Sequence, residues 1–424
     1  MPKRSELPEP VTPTPIEDAR EVERLAAEIA AAGFFALDLE FVSESRYVPN
    51  LSLLQVGWGD PDSPEVALVD PLATDPLPIV DLVADPQVEV VLHSAQGDLA
   101  LLAERFGIVG RAVWDSQVAA GFVGLGDQVG YGALVEQLTG VVLDKAAQFT
   151  NWSRRPLSDE QLHYAVDDVW YLPRLWRELV ARLEAGGRLG WVAEESARVA
   201  RVAARRPAPE EMFRRIRGWE RLPPEARTAV RALAAWRERQ ALAGNRPPQW
   251  LLRDAVLLEV ARRQPETVGE LRGVRGIQEN TVRRHGEAIL AALAAGAEPP
   301  EAPQRGRRLP ARVAGWGASL SGLIQERCRA VGIAPRFVAS RADAEELLRW
   351  WVENRDGEPT GQGAAEPDLP LLAGWRREIA GQAALDWLAD QTATDSDEGP
   401  IAGPPPGDGA ATDEADDSGR RRDR

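Results

Sequence analysis

The chain has 424 residues, of which 44% are hydrophobic and 27% are charged, and its formal net charge is −16. This length predicts two to four domains, and the composition is that of an ordinary globular protein. The sequence has no run of 18 apolar residues and no charged-then-apolar start, so we expect neither a membrane span nor a signal peptide, and its single cysteine excludes a disulfide framework and suits a reducing cytoplasm.

The first predicted strand, residues 34–42, carries two acidic side chains in an otherwise apolar run. Asp38 and Glu40 are two residues apart, so both point to one face of the strand while the apolar residues between and beside them point to the other. Two carboxylates side by side are suited to binding divalent cations. A half-exposed strand at the edge of a hairpin shows the same alternation and is the alternative interpretation.

Three more strands are predicted at residues 51–57, 66–70 and 88–93. The first three strands lie close together in sequence, with turns at residues 49–50 and 59–61, so they predict an antiparallel meander. Helical segments follow the strands, and we expect helices to pack on both faces of the sheet.

A third acidic residue, Asp98, follows the fourth strand and begins a helical pattern that ends at Gly107. A carboxylate at this strand-to-helix corner could cap the helix, which is the simplest structural role. Because other acids are present, we favour a metal ligand or an anchor for a bound water molecule.

The next motif begins with Ser158 and Gln161, which have the spacing of a capping box, and a helix is predicted over residues 162–179. Tyr164 and Asp168 are four residues apart and therefore share one helical face. A phenol one turn from a metal-binding carboxylate could hold an attacking water molecule. The alternative is an amphipathic helix with a half-buried tyrosine.

Lysine is rare in this chain: only Lys3 and Lys145 occur among its 50 basic residues. An ammonium group kept where arginine is the rule favours a role for a compact point charge, such as binding a phosphate. The alternatives are sequence drift on a loop and an ion pair with the neighbouring Asp144.

The charge is divided unevenly along the chain. Residues 1–200 have 15 basic and 32 acidic side chains, residues 201–300 have 19 and 12, and residues 301–424 have 16 and 22. The acidic first segment can bind metal but repels phosphate, whereas the middle segment can attract nucleic acid.

Taken in order, Asp-x-Glu on a strand, Asp after a later strand and Tyr-x-x-x-Asp on a helix resemble the DEDD 3′–5′ exonuclease superfamily, tyrosine subclass. The stretches 37–55, 93–102, 140–145 and 164–172 resemble the exonuclease segments of the ribonuclease D family. Leu39 departs from the family, which often has Thr there, but it faces away from the acids.

The middle segment resembles an HRDC domain, the helical module of ribonuclease D and RecQ helicases, at residues 235–239, 246–248 and 271–276. The loop Gly273-Val274-Arg275-Gly276 could meet a phosphate through its backbone amides, although an ordinary turn between helices explains it equally well. The predicted helices of this segment span residues 224–240, 251–263, 267–271 and 279–293.

Further helices predicted at residues 318–331, 342–352 and 372–388 resemble a second, degenerate HRDC-like domain with a polar insertion at 356–368. We expect a small bundle with a tryptophan-rich core, formed by Trp350, Trp351, Trp375 and Trp387.

The resemblance implies an α/β fold: a ribonuclease H-like exonuclease domain with a mixed sheet, followed by two small all-α HRDC-like bundles. The expected organisation is a disordered N-terminus, an exonuclease domain, an HRDC domain, a second HRDC-like domain and a disordered tail, spanning residues 1–14, 15–200, 210–298, 311–391 and 392–424.

The resemblance also implies a site and an activity. Two Mg²⁺ or Mn²⁺ ions about 4 Å apart would be held by four acids, and Tyr164 would orient the attacking water. The four acids are Asp38, Glu40, Asp98 and Asp168. The candidate substrate-binding residues are Phe41, Lys145 and Arg275.

The implied function is a cytoplasmic, monomeric 3′–5′ exoribonuclease that releases nucleoside 5′-monophosphates and trims structured RNAs such as tRNA precursors. Single-stranded DNA is a further candidate partner. The alternatives are a 3′–5′ DNA exonuclease with the same chemistry and a non-catalytic nucleic-acid-binding adaptor.

Overall fold

A computed structural model describes residues 10–42, 45–144, 150–295, 300, 313, 315–355 and 366–397. Lys145, most of the predicted polar insertion, residues 301–310 and residues 398–424 lie outside the described residues. So do residues 1–9 of the segment predicted to be disordered. Among the described residues, no helix is long and apolar enough to cross a membrane.

Residues 10–204 form an α/β unit around a five-stranded mixed sheet. Its strands are β1 (Phe34–Val42), β2 (Asn50–Asp60), β3 (Ser63–Val69), β4 (Glu89–Leu92) and β5 (Val113–Asp115). Their order in the sheet is β3-β2-β1-β4-β5. The three-strand meander is confirmed, because β1 pairs antiparallel with β2 and β2 pairs antiparallel with β3. The parallel pairs β1–β4 and β4–β5 make the sheet mixed, as predicted.

The turn between β2 and β3 differs slightly from the prediction. Both strands run on to an Asp60–Ser63 pair, so the turn is made by Pro61 and Asp62 rather than by residues 59–61. The Asp62 amide donates to the Asp60 side chain over 2.9 Å, which holds this tight turn. The short strand β5 is absent from the sequence-based prediction because three residues carry too little pattern.

Helices cover both faces of the sheet, as expected. They are α1 (Ala19–Ala32), α2 (Leu77–Val80), α3 (Gln96–Phe106), α4 (Ser116–Phe122), α5 (Tyr131–Thr139), α6 (Asp159–Trp170), α7 (Leu172–Ala185) and α8 (Leu189–Ala204), with a 3₁₀ segment at Asp81–Ala84. One core contains Leu37 and Leu39 of β1 together with α1 and α3. The other core contains Ala36 of β1 and Leu53 of β2, which pack against α4 to α7.

The single helix predicted over residues 162–179 is wrong. The structure has two helices, α6 and α7, which meet at Tyr171. Pro173 stands in the first turn of α7, where its missing amide hydrogen costs nothing, but its ring disfavours continuation of the preceding helix.

The middle segment forms a first helical unit with its own core. It consists of 3₁₀ segments Pro209–Arg215 and Trp219–Arg221 and of helices α9 (Pro224–Ala243), α10 (Pro248–Leu251), α11 (Asp254–Arg263), α12 (Val268–Arg272) and α13 (Glu279–Ala294). The helix predicted at 251–263 is wrong at its start, because α11 begins only at Asp254. Extended backbone at Leu252 and Arg253 separates α10 from α11.

A second helical unit follows. It contains α14 (Trp316–Val331), a 3₁₀ turn Pro335–Phe337, α15 (Arg341–Arg355), a 3₁₀ turn Pro370–Leu372, α16 (Gly374–Arg376), a π-helical turn Arg377–Gly381 and α17 (Gln382–Asp397). The helix predicted at 372–388 therefore begins at Gly374 and contains a π-helical turn, and α17 runs past Thr392 into the segment predicted to be disordered.

The expectation of a separate tryptophan core in the second helical unit is wrong. Trp375 is buried, but it stacks on Trp191 of α8 at 5.1 Å and meets Phe122 of α4 edge-on at 5.2 Å. The other three tryptophans, Trp350, Trp351 and Trp387, are only partly buried. The second helical unit thus shares one continuous core with the α/β unit, and Arg376 extends this contact with a 2.8 Å ion pair to Glu194.

Candidate active site

Three of the predicted acids converge at one point. Asp38 and Glu40 on β1 and Asp168 on α6 each offer a carboxylate oxygen, and these oxygens all lie within 4.8 Å of one another. The alternative of a polar-faced hairpin edge is excluded, because β1 is the central strand of the sheet. Three carboxylates this close match the oxygen ligands that hard divalent cations prefer.

Local sequence places α6 against the sheet. The predicted capping box is present: the Gln161 amide donates to the Ser158 side chain at 3.3 Å, and the Ser158 amide donates to the Gln161 side chain at 3.0 Å. The segment before α6 is fastened by Arg155, which donates two hydrogen bonds to Asp70 at 2.5 and 2.7 Å. Gly57 of β2 then lets the helix approach closely, because a Cβ atom there would lie 2.8 Å from the carbonyl oxygen of residue 169.

Tyr164 lies one turn before Asp168 on the same face of α6. The tyrosine is also half-buried and packs against Trp152 with ring centroids 6.0 Å apart, so the packing alternative describes part of its environment. Burial first, and then the charges of Asp168, Glu40 and Asp38, raise the pKa of the Tyr164 hydroxyl. The phenol therefore stays protonated at neutral pH and can orient a water molecule but not act as a base.

Asp98 does not cap α3, so the capping alternative is wrong. Its helix begins at Gln96 with Ala95 at the N-cap position, and Asp98 is the third helical residue. The residue is 9% exposed, and burial followed by the negative charges of Asp38 and Glu40 raises its pKa. Its carboxylate is not among the three whose oxygens lie within 4.8 Å of one another, so its place in the site stays a prediction.

Asp115, at the end of β5, positions the turn that leads to Asp98. Its side chain accepts hydrogen bonds from the amides of Ser94 and Ala95, both at 3.0 Å, and from Gln117 at 2.9 Å. One buried carboxylate therefore starts α4 and fixes the entry into α3. This role of Asp115 was not predicted, because the sequence marks it only by an acid between a short apolar run and a serine.

The clustered carboxyl groups resist ionisation. Burial raises the pKa of Asp38 to about 6, and burial together with the Asp38 charge raises the pKa of Glu40 to about 8. Burial and the neighbouring acids also raise the pKa of Asp98 and Asp168 well above the ordinary carboxyl range. Bound cations would remove this penalty, since opposite charge favours the ionised form.

Gln55 is a further polar residue of the site that the sequence analysis missed. It lies directly opposite Asp38 in the β1–β2 pair, so the two side chains share a face of the sheet. Gln55 is fully buried, and neither atom of its amide has a hydrogen-bond partner among the described residues. A buried amide without a partner beside a carboxylate fits a site whose remaining ligands are water molecules held by cations.

Tyr131 of α5 supports the helix that carries Asp168. Its hydroxyl donates to the Asp167 carbonyl oxygen at 2.9 Å, and its ring meets His93 edge-on at 5.5 Å. His93 in turn is held by Ser116 and by the carbonyl oxygen of residue 129, and burial lowers its pKa. These residues position the site and are not recognisable from any local motif.

The three candidate substrate-binding residues lie in different places. Phe41 directly follows the acids and packs partly buried against the core on the opposite face of β1. Arg275 is exposed on the loop between α12 and α13, in the first helical unit. Lys145 lies outside the described residues. Contact of any of the three with substrate stays a prediction.

Comparison with known families agrees with this geometry. Residues 13–184 match a 3′–5′ exonuclease family, and residues 226–293 match the HRDC domain. These matches correspond to the α/β unit with its acidic cluster and to the core of the first helical unit.

Relatives that match over most of their length support the same assignment. Ribonuclease D of Gluconacetobacter diazotrophicus is 40% identical over 392 residues, which cover 89% of this chain and 93% of that protein. Ribonuclease D of Granulibacter bethesdensis is 38% identical and covers 90% of this chain and 93% of that protein. The crystal structure of Escherichia coli RNase D, an exoribonuclease involved in structured RNA processing, superposes with a TM-score of 0.75 at 28% identity over 90% of this chain and 99% of that one.

These matches confirm the predicted fold, and they favour a ribonuclease over both alternatives, the DNA exonuclease and the non-catalytic adaptor. The chain belongs to the ribonuclease D family and is a 3′–5′ exoribonuclease.

Proposed function

We propose that Asp38, Glu40, Asp98 and Asp168 hold two divalent cations, Mg²⁺ or Mn²⁺, and that this site removes nucleotides one at a time from RNA 3′ ends as 5′-monophosphates. The observation that carries the proposal is the convergence of the Asp38, Glu40 and Asp168 oxygens within 4.8 Å. Unneutralised, such a cluster is costly because each buried charge raises the free energy of ionising the others.

When bound, the cations would lower the pKa of a water molecule and stabilise the negative charge that develops on the phosphate. The protein positions the carboxylates and the attacking water molecule. Asp38 and Glu40 are fixed by the rigid central strand, whereas Asp168 and Tyr164 are brought to them by α6. Tyr164 has a protonated hydroxyl beside Asp168 and can align a water molecule with the phosphorus.

For the substrate, we propose structured RNA 3′ ends, including tRNA precursors, bound by a monomer in the cytoplasm. The involvement of Escherichia coli RNase D in structured RNA processing supports structured RNA as a class. We further propose that the first helical unit, within residues 210–298, is an RNA-binding HRDC domain and that residues 311–391 form a second HRDC-like domain on the exonuclease domain of residues 15–200. The net positive charge of residues 201–300 supports the binding role.

The test compares RNA and DNA oligonucleotides of the same sequence. Each oligonucleotide is prepared in two forms, one labelled at the 3′ end and the other labelled at the 5′ end. In Mg²⁺, we expect immediate release of a labelled mononucleotide from 3′-labelled RNA, a descending ladder from 5′-labelled RNA and much slower loss of DNA. EDTA should stop all degradation. Release of internal fragments, or undiminished hydrolysis in EDTA, would contradict the proposal.

A further inference from the structure

A cleft of about 690 Å³ lies where the α/β unit meets the first helical unit. Its walls are the outer face of α3, the loop after β1, the end of α8 with the following linker, and α9 with the turn after it. The volume is within the range of roughly 300–1,000 Å³ that is typical of ligand pockets.

Arginine dominates the charged lining. Four arginines line the cleft, Arg46, Arg205, Arg206 and Arg215, against two carboxylates. Both carboxylates already have partners: Glu104 pairs with Arg206 at 3.4 Å, and Glu238 accepts a hydrogen bond from the Tyr47 hydroxyl. Among the described residues, the exposed side chains of Arg46, Arg205 and Arg215 have neither a hydrogen bond nor an ion pair. Within the described part of the chain, the cleft therefore offers three guanidinium groups that have no partner.

The wall that carries Arg46 is held firmly by the first helical unit. The Asn245 side-chain oxygen accepts hydrogen bonds from the amides of Tyr47 and Val48 at 3.0 and 2.9 Å. Asn245 adopts a positive φ of 44°, a strained conformation that aims its side chain at this loop. The Arg206 guanidinium lies over the Tyr47 ring at 4.8 Å, and Glu238 is 4% exposed. These contacts join residues far apart in the chain, so the cleft has a defined shape.

Two parts of the chain connect the cleft to the predicted acids over a short distance: the loop that follows β1, and helix α3. Arg46 follows Glu40 by six residues, a span of at most about 20 Å even if fully extended. On α3, the lining begins at Ala100, two residues after Asp98, which is a rise of about 3 Å. A strand whose 3′ end lies at the acids could therefore reach the cleft with its next few nucleotides.

We propose that this cleft binds the phosphodiester backbone of the RNA strand on the 5′ side of the nucleotide being removed, through Arg46, Arg205 and Arg215. Planar guanidinium groups pair with phosphate oxygens in a bidentate manner and remain charged at every physiological pH. The net positive lining also explains how an acidic α/β unit retains a polyanion. The inference rests on the proposed assignment of the active site to the four acids.

The test uses the full-length protein with all three arginines changed, Arg46→Gln, Arg205→Gln and Arg215→Gln. The matched control changes three exposed arginines that lie outside both the cleft and the first helical unit, Arg20→Gln, Arg111→Gln and Arg329→Gln. Both variants lose the same charge. Binding of an eight-nucleotide single-stranded RNA is measured in EDTA across a range of KCl concentrations, and kcat and KM are measured in Mg²⁺ on this RNA and on a dinucleotide.

We expect the cleft variant to bind the eight-nucleotide RNA on the order of tenfold or more weakly and its slope of log K against log salt to fall by about 2, since each phosphate contact on a single strand contributes about 0.7. Its KM should rise far more for the eight-nucleotide RNA than for the dinucleotide, which is too short to reach the cleft. The control should change affinity less than threefold.

Equal losses in the cleft variant and the control, an unchanged salt slope, or an equal KM increase on both substrates would overturn the proposal. Tight binding of an acidic peptide with no effect on RNA would also overturn it, in favour of a protein partner. Failure of the wild-type protein to release mononucleotides from RNA would instead refute the proposed function, so the two failures are distinguishable.

Discussion

Gly57 of β2 lies directly beneath Val169 of α6, the residue that follows Asp168. A Cβ atom on Gly57 would come within 2.8 Å of the Val169 carbonyl oxygen and 3.4 Å of its carbonyl carbon. Backbone atoms cannot rotate away as a flexible side chain can, so any larger residue must displace the helix. The absence of one methyl group thus determines how near Asp168 comes to Asp38 and Glu40.

Gly57→Ala should therefore impair catalysis more than folding. We expect kcat to fall at least tenfold, because displacing α6 separates the acids, while overpacking costs roughly 1–3 kcal/mol of stability. Steady-state kinetics and thermal unfolding measure the two effects. Gly190→Ala is the control, since a Cβ atom there meets nothing within 4 Å and alanine favours its helix. Wild-type kcat in Gly57→Ala would show that the close approach does not position the site.

Asp98→Asn should abolish hydrolysis while the protein stays folded. Removal of one metal-binding acid costs several kcal/mol of transition-state stabilisation, roughly a thousandfold or more in rate. Single-turnover assays at saturating Mg²⁺ measure the loss, and circular dichroism checks the fold. A variant that keeps more than a tenth of the wild-type rate would contradict the role of Asp98. Asp81→Asn, on the exposed 3₁₀ turn after α2, is a control that should keep full activity.

Tyr164→Phe should lower kcat by about 10- to 1000-fold with little change in RNA affinity or in the Mg²⁺ concentration required. The phenylalanine keeps the packing against Trp152 and removes only the hydroxyl group, whose pKa is raised by burial and by the nearby Asp168 charge. Comparison of kcat, KM and the Mg²⁺ dependence separates positioning of water from binding. Unchanged kcat would leave Tyr164 with a packing role alone.

The raised carboxyl pKa values predict how pH affects the metal-free protein. The pKa values of Asp38 and Glu40 are about 6 and about 8 in the folded chain, against ordinary values of 3.8 and 4.5. The folded state therefore holds protons that the unfolded state has released, and their stabilising contribution, complete below about pH 4, is lost as pH rises through 6 to 8.

We expect the thermal unfolding temperature in EDTA to fall as pH rises through about 6 to 8 and Mg²⁺ to restore it most at the upper end, where the acids are ionised. The double variant Asp38→Asn, Glu40→Gln should weaken both effects, while the burial of Asp98 and Asp168 retains part of the pH dependence. A metal-free protein whose stability is flat or rises over this range would contradict the assigned clustering.

The sequence predicts those parts of the site in which the cooperating residues are close together along the chain. Asp38 and Glu40 share a face because of strand periodicity, and Tyr164 and Asp168 share one because of helical periodicity, so both pairs are visible locally. The break between α6 and α7 is marked only by Pro173. Hydrophobic periodicity continues across this break and outweighs the signal from the proline.

The residues that support the site could not be predicted, because each one contacts a partner that lies far away in the sequence. Asp115 holds the amides that precede α3, Tyr131 holds the Asp167 carbonyl, and Tyr47 meets Glu238, 191 positions away. No spacing rule connects such residues before the chain folds. The same limitation explains Trp375, which was expected in the core of a separate bundle but packs on the α/β unit.

The central claim, that four acids hold two catalytic cations, is tested most directly by crystals of the protein soaked in MnCl₂. Anomalous difference maps collected near the manganese absorption edge locate the ions without assumptions about activity. We expect two peaks roughly 3.5–4 Å apart, in contact with Asp38, Glu40, Asp98 and Asp168, and loss of at least one peak in Asp98→Asn crystals. No peak at these carboxylates, or peaks that persist unchanged in Asp98→Asn, would contradict the account.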